Sequence, residues 1–293
     1  MIPPAGVHGG DGAAVARALG LDPDQVLDLS MSLNPCATDI ADVAARHLGS
    51  LRRYPDRAAT TSTLAAAMGV DPARLLLTNG ASEAIRLAAD VLGGTVVAEP
   101  EFSLHPRTGD GPRWRSNPNN PTGLLAAPDE RADVWDESFF ALSTGRWTRG
   151  DAGAVVIGSL TKLFACPGLR LGYLLADDVH RFAATQPAWP VNGLALAVLP
   201  DLLVSADLSG WAHAIARRRV QLAALLASHG YLARASDAPW LLAQAPGLRA
   251  RLAPFGVIVR DCASFRLPGL IRIAVPDEAG LDRLAEALAC AGR

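Results

Sequence analysis

The sequence predicts an α/β protein of 293 residues, and three observations carry that expectation. Short apolar runs alternate with helical patterns between Arg74 and Ala176, the mark of layered α/β architecture. A long helical pattern follows, from Ser209 to His229, with neither Gly nor Pro after Gly210. Beyond it, apolar runs and two helical patterns mark a smaller α+β unit. Half the residues are hydrophobic and 19% are charged, so a sizeable core is buried.

In chain order, Arg74–Thr78 reads as a strand, Ala81–Leu92 as an amphipathic helix and Thr95–Ala98 as a strand. Ala154–Gly158 and Leu171–Ala176 are further strand-like runs. After the long helix, Trp240–Ala243, Val257–Val259 and Leu270–Val275 read as strands, and Gly247–Leu252 and Glu278–Cys290 as helices. There is no internal repeat and no low-complexity linker.

A net charge of -2 with no Lys/Arg run gives no field for nucleic acid. The opening MIPPAGVHGGDG has neither the basic nor the apolar region of a signal peptide. No apolar stretch reaches the roughly 20 residues that span a bilayer, and the longest, Gly193–Val204, is interrupted by Pro200 and Asp201. A cytoplasmic location without a membrane partner is expected. Cys36, Cys166, Cys262 and Cys290 lie far apart with no CxxC pair, which predicts free thiols and no metal site.

Of the 27 basic residues, 26 are arginines and one, Lys162, is a lysine. Arg stays protonated, whereas Lys can lose its proton and form a Schiff base. Composition alone does not separate that role from a surface survivor; the neighbourhood does. Lys162 follows an apolar run in Gly158-Ser159-Leu160-Thr161-Lys162, and Arg170 stands eight residues on in Pro167-Gly168-Leu169-Arg170-Leu171-Gly172-Tyr173. Ser159 and Arg170 can offer a hydroxyl and a fork of donors to a phosphate. Upstream, Thr78-Asn79-Gly80-Ala81-Ser82-Glu83 opens a helix straight after a strand, where free N–H groups favour an anion. Asn117–Gly123 is rich in turn formers and reads equally as a surface loop, and Asp136-Glu137-Ser138-Phe139 as an acidic connection.

Their order is the stronger signal. HGGD at His8–Asp11, SLNP at Ser32–Pro35, RYPD at Arg53–Asp56, NGASEAI at Asn79–Ile85, NPNNPTG, DESF, SLTK, PGLRLGY and IRIAV at Ile271–Val275 together resemble the class I/II (fold-type I) aminotransferases. The resemblance points to the branch of threonine-phosphate decarboxylase and histidinol-phosphate aminotransferase. It implies the aspartate-aminotransferase-like fold, a large α/β domain with a mainly parallel sheet plus a small α+β domain. Residues 1–35 would be an N-terminal arm and small-domain segment, 36–205 the large domain and 206–293 the small one. The implied cofactor is pyridoxal 5'-phosphate and the implied assembly a homodimer.

Carried over position by position, the resemblance makes Lys162 the Schiff-base lysine and Asp136 the partner of the pyridine nitrogen. Asn120 would meet the phenolic oxygen and Phe102 the ring face. Gly80, Ala81, Ser82, Ser159 and Arg170 would hold the cofactor phosphate, with Tyr54 reaching that of the neighbouring subunit. Arg272 would clamp the substrate carboxylate, and His8, Asn34 and Arg260 a substrate phosphate. The implied reaction is decarboxylation of threonine phosphate for the cobalamin side arm; transamination of histidinol phosphate, or binding without catalysis, are the alternatives. Two departures stand out. Phe139 replaces a tyrosine common in the family. Only fourteen residues separate Phe102 from Asn117 and twelve separate Gly123 from Asp136, so part of the outer layer should be trimmed. Arg131–Trp135 is expected to be too polar and short for the buried strand that usually precedes the aspartate.

Overall fold

The fold is described from a computed structural model for residues 2–292. Helix α1 (Gly12–Leu19), strand β1 (Leu27–Asp28) and helices α2 (Ile40–Ala45) and α3 (Ala58–Met68) lead into the large sheet. There follow β2 (Leu75–Asn79), α4 (Gly80–Leu92), β3 (Thr95–Val96), β4 (Arg113–Ser116), β5 (Val134–Asp136), α5 (Phe140–Thr144), β6 (Val155–Gly158), α6 (Leu160–Leu163) and β7 (Leu171–Leu175). Helices α7 (His180–Ala183), α8 (Gly193–Val204) and α9 (Leu208–Ser228) come next. The chain ends with β8 (Trp240–Gln244), α10 (Leu248–Leu252), β9 (Val257–Ile258), β10 (Arg260–Asp261), β11 (Leu270–Ala274) and α11 (Glu278–Ala291).

Six strands form one sheet in the order β2-β7-β6-β5-β4-β3, and only β7 runs against the rest. Alternate side chains feed two cores: Leu75, Leu77, Trp135 and Val156 on one face, Leu76, Trp114, Val134 and Ile157 on the other. The α/β class and mainly parallel sheet are as expected. A three-stranded antiparallel sheet, β10-β11-β8, forms the C-terminal part, and β1 pairs in parallel with β9.

The strands and helices read from the sequence are present with ends shifted by one or two residues. The expectation about Arg131–Trp135 is corrected: Val134, Trp135 and Asp136 are a buried strand in the interior of the sheet. Three residues suffice because β4 and β6 pair with both edges. The polar residues before it are used outside the strand, Glu130 in an ion pair with Arg115 at 3.0 Å. The connections β3 to β4 and β4 to β5, residues 97–112 and 117–133, contain no helix, although parallel neighbours are usually joined through one.

Pro200 is also absorbed rather than disruptive. It lies inside α8, where proline removes one helical N–H. The carbonyl four residues back, Leu196 O, accepts instead from the buried Thr60 hydroxyl at 3.2 Å. Among the described residues no single helix is long and apolar enough to cross a membrane, and α8 and α9 meet at an 84° bend.

Candidate active site

The carboxyl ends of the parallel strands and the start of antiparallel β7 lie along one edge of the large sheet. That edge and the small sheet enclose a cavity of about 230 Å³, the position where open α/β sheets bind ligands. The cavity brings together His8, Ala81, Ser82, Phe102, Asn120, Asp136, Ser159, Lys162, Arg170, Arg260 and Arg272. Three expected residues are not in its lining: Gly80, Asn34 and Tyr54.

Gly80 acts from beneath. It adopts φ +74, and a Cβ there would lie 2.5 Å from Arg170 Nη2. The same close packing recurs at Gly172, where a Cβ would meet Ala81 N at 2.5 Å. Two glycines therefore let the N-terminus of α4 and the Arg170 guanidinium share one corner. Arg170 itself is held in the left-handed region, φ 57, which costs a non-glycine residue roughly 1 kcal/mol. Ser159 caps α6 by accepting from Lys162 N at 3.3 Å, so its proton remains free to donate.

Lys162 is almost entirely enclosed. Burial, then the charges of Arg272 and Arg170, push its amine down to about 8, against a smaller upward pull from Asp28. Among the described residues no carboxylate comes within ion-pair distance of Lys162, Arg170, Arg260 or Arg272. Asn34, expected at a substrate phosphate, lies outside the cavity lining. It is buried, its Nδ2 donates to Leu163 O at 2.9 Å and its Oδ1 accepts from Cys36 N at 2.9 Å. Its side chain braces the turn that mounts Lys162.

Asp136 ends β5 and is buried. Burial alone would raise its carboxyl, but hydrogen bonds from His105 and Ser138 and the His105 charge hold it below the usual range. Oδ1 accepts from Ser138 N at 3.0 Å and Oγ at 2.5 Å, and Oδ2 lies 3.1 Å from His105 Nε2. Sequence reasoning missed His105 and Glu101. The only signal was the acid and imidazole four apart in Glu101-Phe102-Ser103-Leu104-His105, a spacing with no meaning until the loop is folded.

Arg260 of β10 and Arg272 of β11 are cross-strand partners. Burial, then the neighbouring Arg260, push Arg272 down to about 9; burial also lowers Arg260. Arg272 Nη1 donates to Asn120 Oδ1 at 2.6 Å, and its guanidinium lies 4.9 Å from the Trp240 ring. Arg260 Nη2 donates to Val7 O and to Ser264 Oγ, while its buried Nε has no partner. Phe265, which the sequence reading did not single out, places its ring 4.9 Å from Arg260 and 6.0 Å from Arg272. His8 lines the opening above Phe102, with ring centroids 5.8 Å apart; burial and Arg260 lower its basicity. Tyr54 is 79% exposed and stacks on Trp189 at 4.6 Å.

Comparison with known proteins gives the family. Threonine-phosphate decarboxylase of Sinorhizobium sp is 28% identical, across 97% of each chain. That alignment runs over 332 residues, more than this chain contains, so the relative carries segments missing here. Histidinol-phosphate aminotransferase 1 of Dechloromonas aromatica is 26% identical, over 94% of this chain and 92% of its own. In structure, histidinol-phosphate aminotransferase from Sinorhizobium meliloti, solved in complex with pyridoxal-5'-phosphate, superposes with a TM-score of 0.74. That match covers 96% of this chain and 94% of that one at 17% identity. The family model for aminotransferase class I and II matches residues 114–288, from the strand before Asn120 to the last helix, and the chain belongs to that family.

Proposed function

We propose that this enzyme uses pyridoxal 5'-phosphate to decarboxylate L-threonine O-3-phosphate to (R)-1-amino-2-propanol phosphate, a step of cobalamin biosynthesis, as a cytoplasmic homodimer. The observation that carries the substrate class is the opposed pair Arg260 and Arg272. Like charges directly across a strand pair destabilise it, and here both are buried without a carboxylate. A substrate with two anionic groups removes that cost.

The residues present fit the cofactor. The α4 N-terminus, Ser159 and Arg170, which has no carboxylate partner, suit its phosphate, Phe102 a ring face, and ionised Asp136 a protonated ring nitrogen. When bound, the cofactor supplies an electron sink for whichever bond at the substrate α-carbon stands perpendicular to its ring. The protein must then choose the bond. Arg272, oriented by Asn120, holds the carboxylate, while Arg260 and His8 hold the phosphate. Two anchors together would fix which bond at the α-carbon is presented to that sink. Lys162, with its amine lowered to about 8 by burial and then by Arg272 and Arg170, would hold the cofactor and move the proton at the α-carbon. Tyr54, exposed and outside the cavity lining of its own chain, would reach the partner's cofactor phosphate.

The test is product identification. Threonine phosphate should yield carbon dioxide and aminopropanol phosphate. Glutamate formed from 2-oxoglutarate with histidinol phosphate, without carbon dioxide, would establish the aminotransferase instead; inertness toward both would refute the proposed substrate. Light scattering should give about twice 30.6 kDa.

A further inference from the structure

His105 is a wholly buried imidazole set between two carboxylates. Its Nε2 is 3.1 Å from Asp136 Oδ2 and its Nδ1 is 3.3 Å from Glu101 Oε2, the second contact within ion-pair distance but off the line of a hydrogen bond. A neutral imidazole carries one N–H, so either tautomer would turn a ring lone pair toward a carboxylate oxygen. Only the doubly protonated ring suits both neighbours. The remaining surroundings are Trp114 of β4 at 5.6 Å, Phe102 at 5.8 Å, and Arg107, whose Nη1 donates to the His105 carbonyl at 2.5 Å.

Glu101 is itself fixed. Oε1 accepts from Ser116 N and Asn119 Nδ2, both at 2.9 Å; Oε2 accepts from Ser116 Oγ at 2.5 Å and Phe102 N at 3.1 Å. Four donors hold its two oxygens in place. Ser116 Oγ also accepts from Asn120 N at 2.8 Å, so the same network reaches the residue that orients Arg272.

We infer that Glu101 is a positioning residue for catalysis: it keeps His105 cationic, and His105 in turn keeps Asp136 ionised, so that the proton shared with the cofactor's ring nitrogen stays on the ring. Burial favours a neutral Asp136, and the imidazolium is the charge that opposes it. Consistent with this, the carboxylates lift His105 to about 9 against its burial. The inference rests on Asp136 facing the ring nitrogen.

Glu101→Gln keeps the shape and removes the charge. In the apoprotein, imidazole ¹⁵N NMR should show His105 of the native chain protonated on both nitrogens up to about pH 9. The variant should lose the second proton about one pH unit lower or more, the usual effect of one adjacent opposite charge. In the holoenzyme the alkaline limb of kcat should move down by the same amount, with KM and cofactor dissociation changed less than about 3-fold. An unmoved His105 titration or an unmoved limb overturns the inference. Asp136→Asn separates the two layers: if it leaves kcat intact, the assignment of Asp136 fails; if it abolishes kcat while Glu101→Gln leaves the limb in place, only the role of Glu101 fails. Should Glu101→Gln not fold, His105→Gln serves. It should lower kcat about 10-fold or more and remove the alkaline limb, and an unchanged kcat and limb would refute the relay.

Discussion

The backbone N–H of Asn34 donates to the carbonyl of Lys162 at 3.1 Å, and its side-chain amide reaches the next carbonyl, Leu163 O, at 2.9 Å. Helix α6 is a single turn, too short to hold itself. A residue more than a hundred positions away in sequence therefore fixes the mount of the sole lysine. Asn34→Ala should cost about 1–3 kcal/mol in urea unfolding, since it strands a buried acceptor. It should slow Schiff-base formation while leaving the selectivity between phosphorylated and unphosphorylated substrates unchanged. A specific loss for the phosphorylated substrate would return Asn34 to the substrate site.

Lys162 gives a stability prediction with a definite sign. Its amine is lowered in the folded protein from 10.5 to about 8, so the folded state releases that proton before the unfolded state does. The cost of burying the charge is complete below about pH 8 and is relieved as pH rises toward 10.5. Apoprotein stability should therefore gain on the order of 2–3 kcal/mol from this group across that window. Lys162→Met should lack the gain and be the more stable of the two at pH 7. Borohydride reduction of the holoenzyme should label Lys162, and Lys162→Arg should be colourless and inactive.

Much of this site was legible because its chemistry sits at strand ends and turns, where residue type is dictated locally. Gly80 is required by a positive φ and a neighbouring guanidinium, and Ser159 by a helix start, so both stood out in the sequence. Strands β4 and β5 did not. Arg-Trp-Arg-Ser and Val-Trp-Asp hold too few apolar residues to show a period, and their burial comes from neighbours on both sides. His105 and Glu101 were hidden for a different reason: their meaning depends on Asp136 and Ser116, which only the folded sheet brings close. The bracing role of Asn34 was hidden too: its motif was visible but the direction of its side chain was not.

Arg260 makes the anion hypothesis measurable without turnover. Removing one of two opposed, unneutralised charges should leave the ligand-free protein equally or more stable, whereas breaking a buried ion pair would destabilise it strongly. Thermal melts of Arg260→Gln should accordingly match or exceed those of the native apoprotein. Activity should fall in the opposite sense. One lost charge-assisted contact of roughly 1.5–3 kcal/mol corresponds to a loss of roughly 10- to 100-fold in kcat/KM with threonine phosphate. A large drop in apoprotein stability would mean that the bonds from Arg260 to Val7 O and Ser264 Oγ outweigh the relief of charge.

Gly80→Ala tests the corner shared by α4 and Arg170. Two separate penalties are expected. The left-handed conformation at φ +74 costs alanine roughly 1 kcal/mol, and the new methyl lies 2.5 Å from Arg170 Nη2. The guanidinium is the softer of the two, so it should swing away rather than split the helix from β7. The result should be a modest loss of stability and a larger loss of cofactor affinity, because Arg170 no longer faces the α4 amides. A double-mutant cycle separates the terms. In an Arg170→Ala background the steric penalty disappears, and Gly80→Ala should cost only the backbone term in stability and almost nothing further in cofactor affinity. Additive losses in affinity would show that the methyl obstructs the phosphate directly, without acting through Arg170.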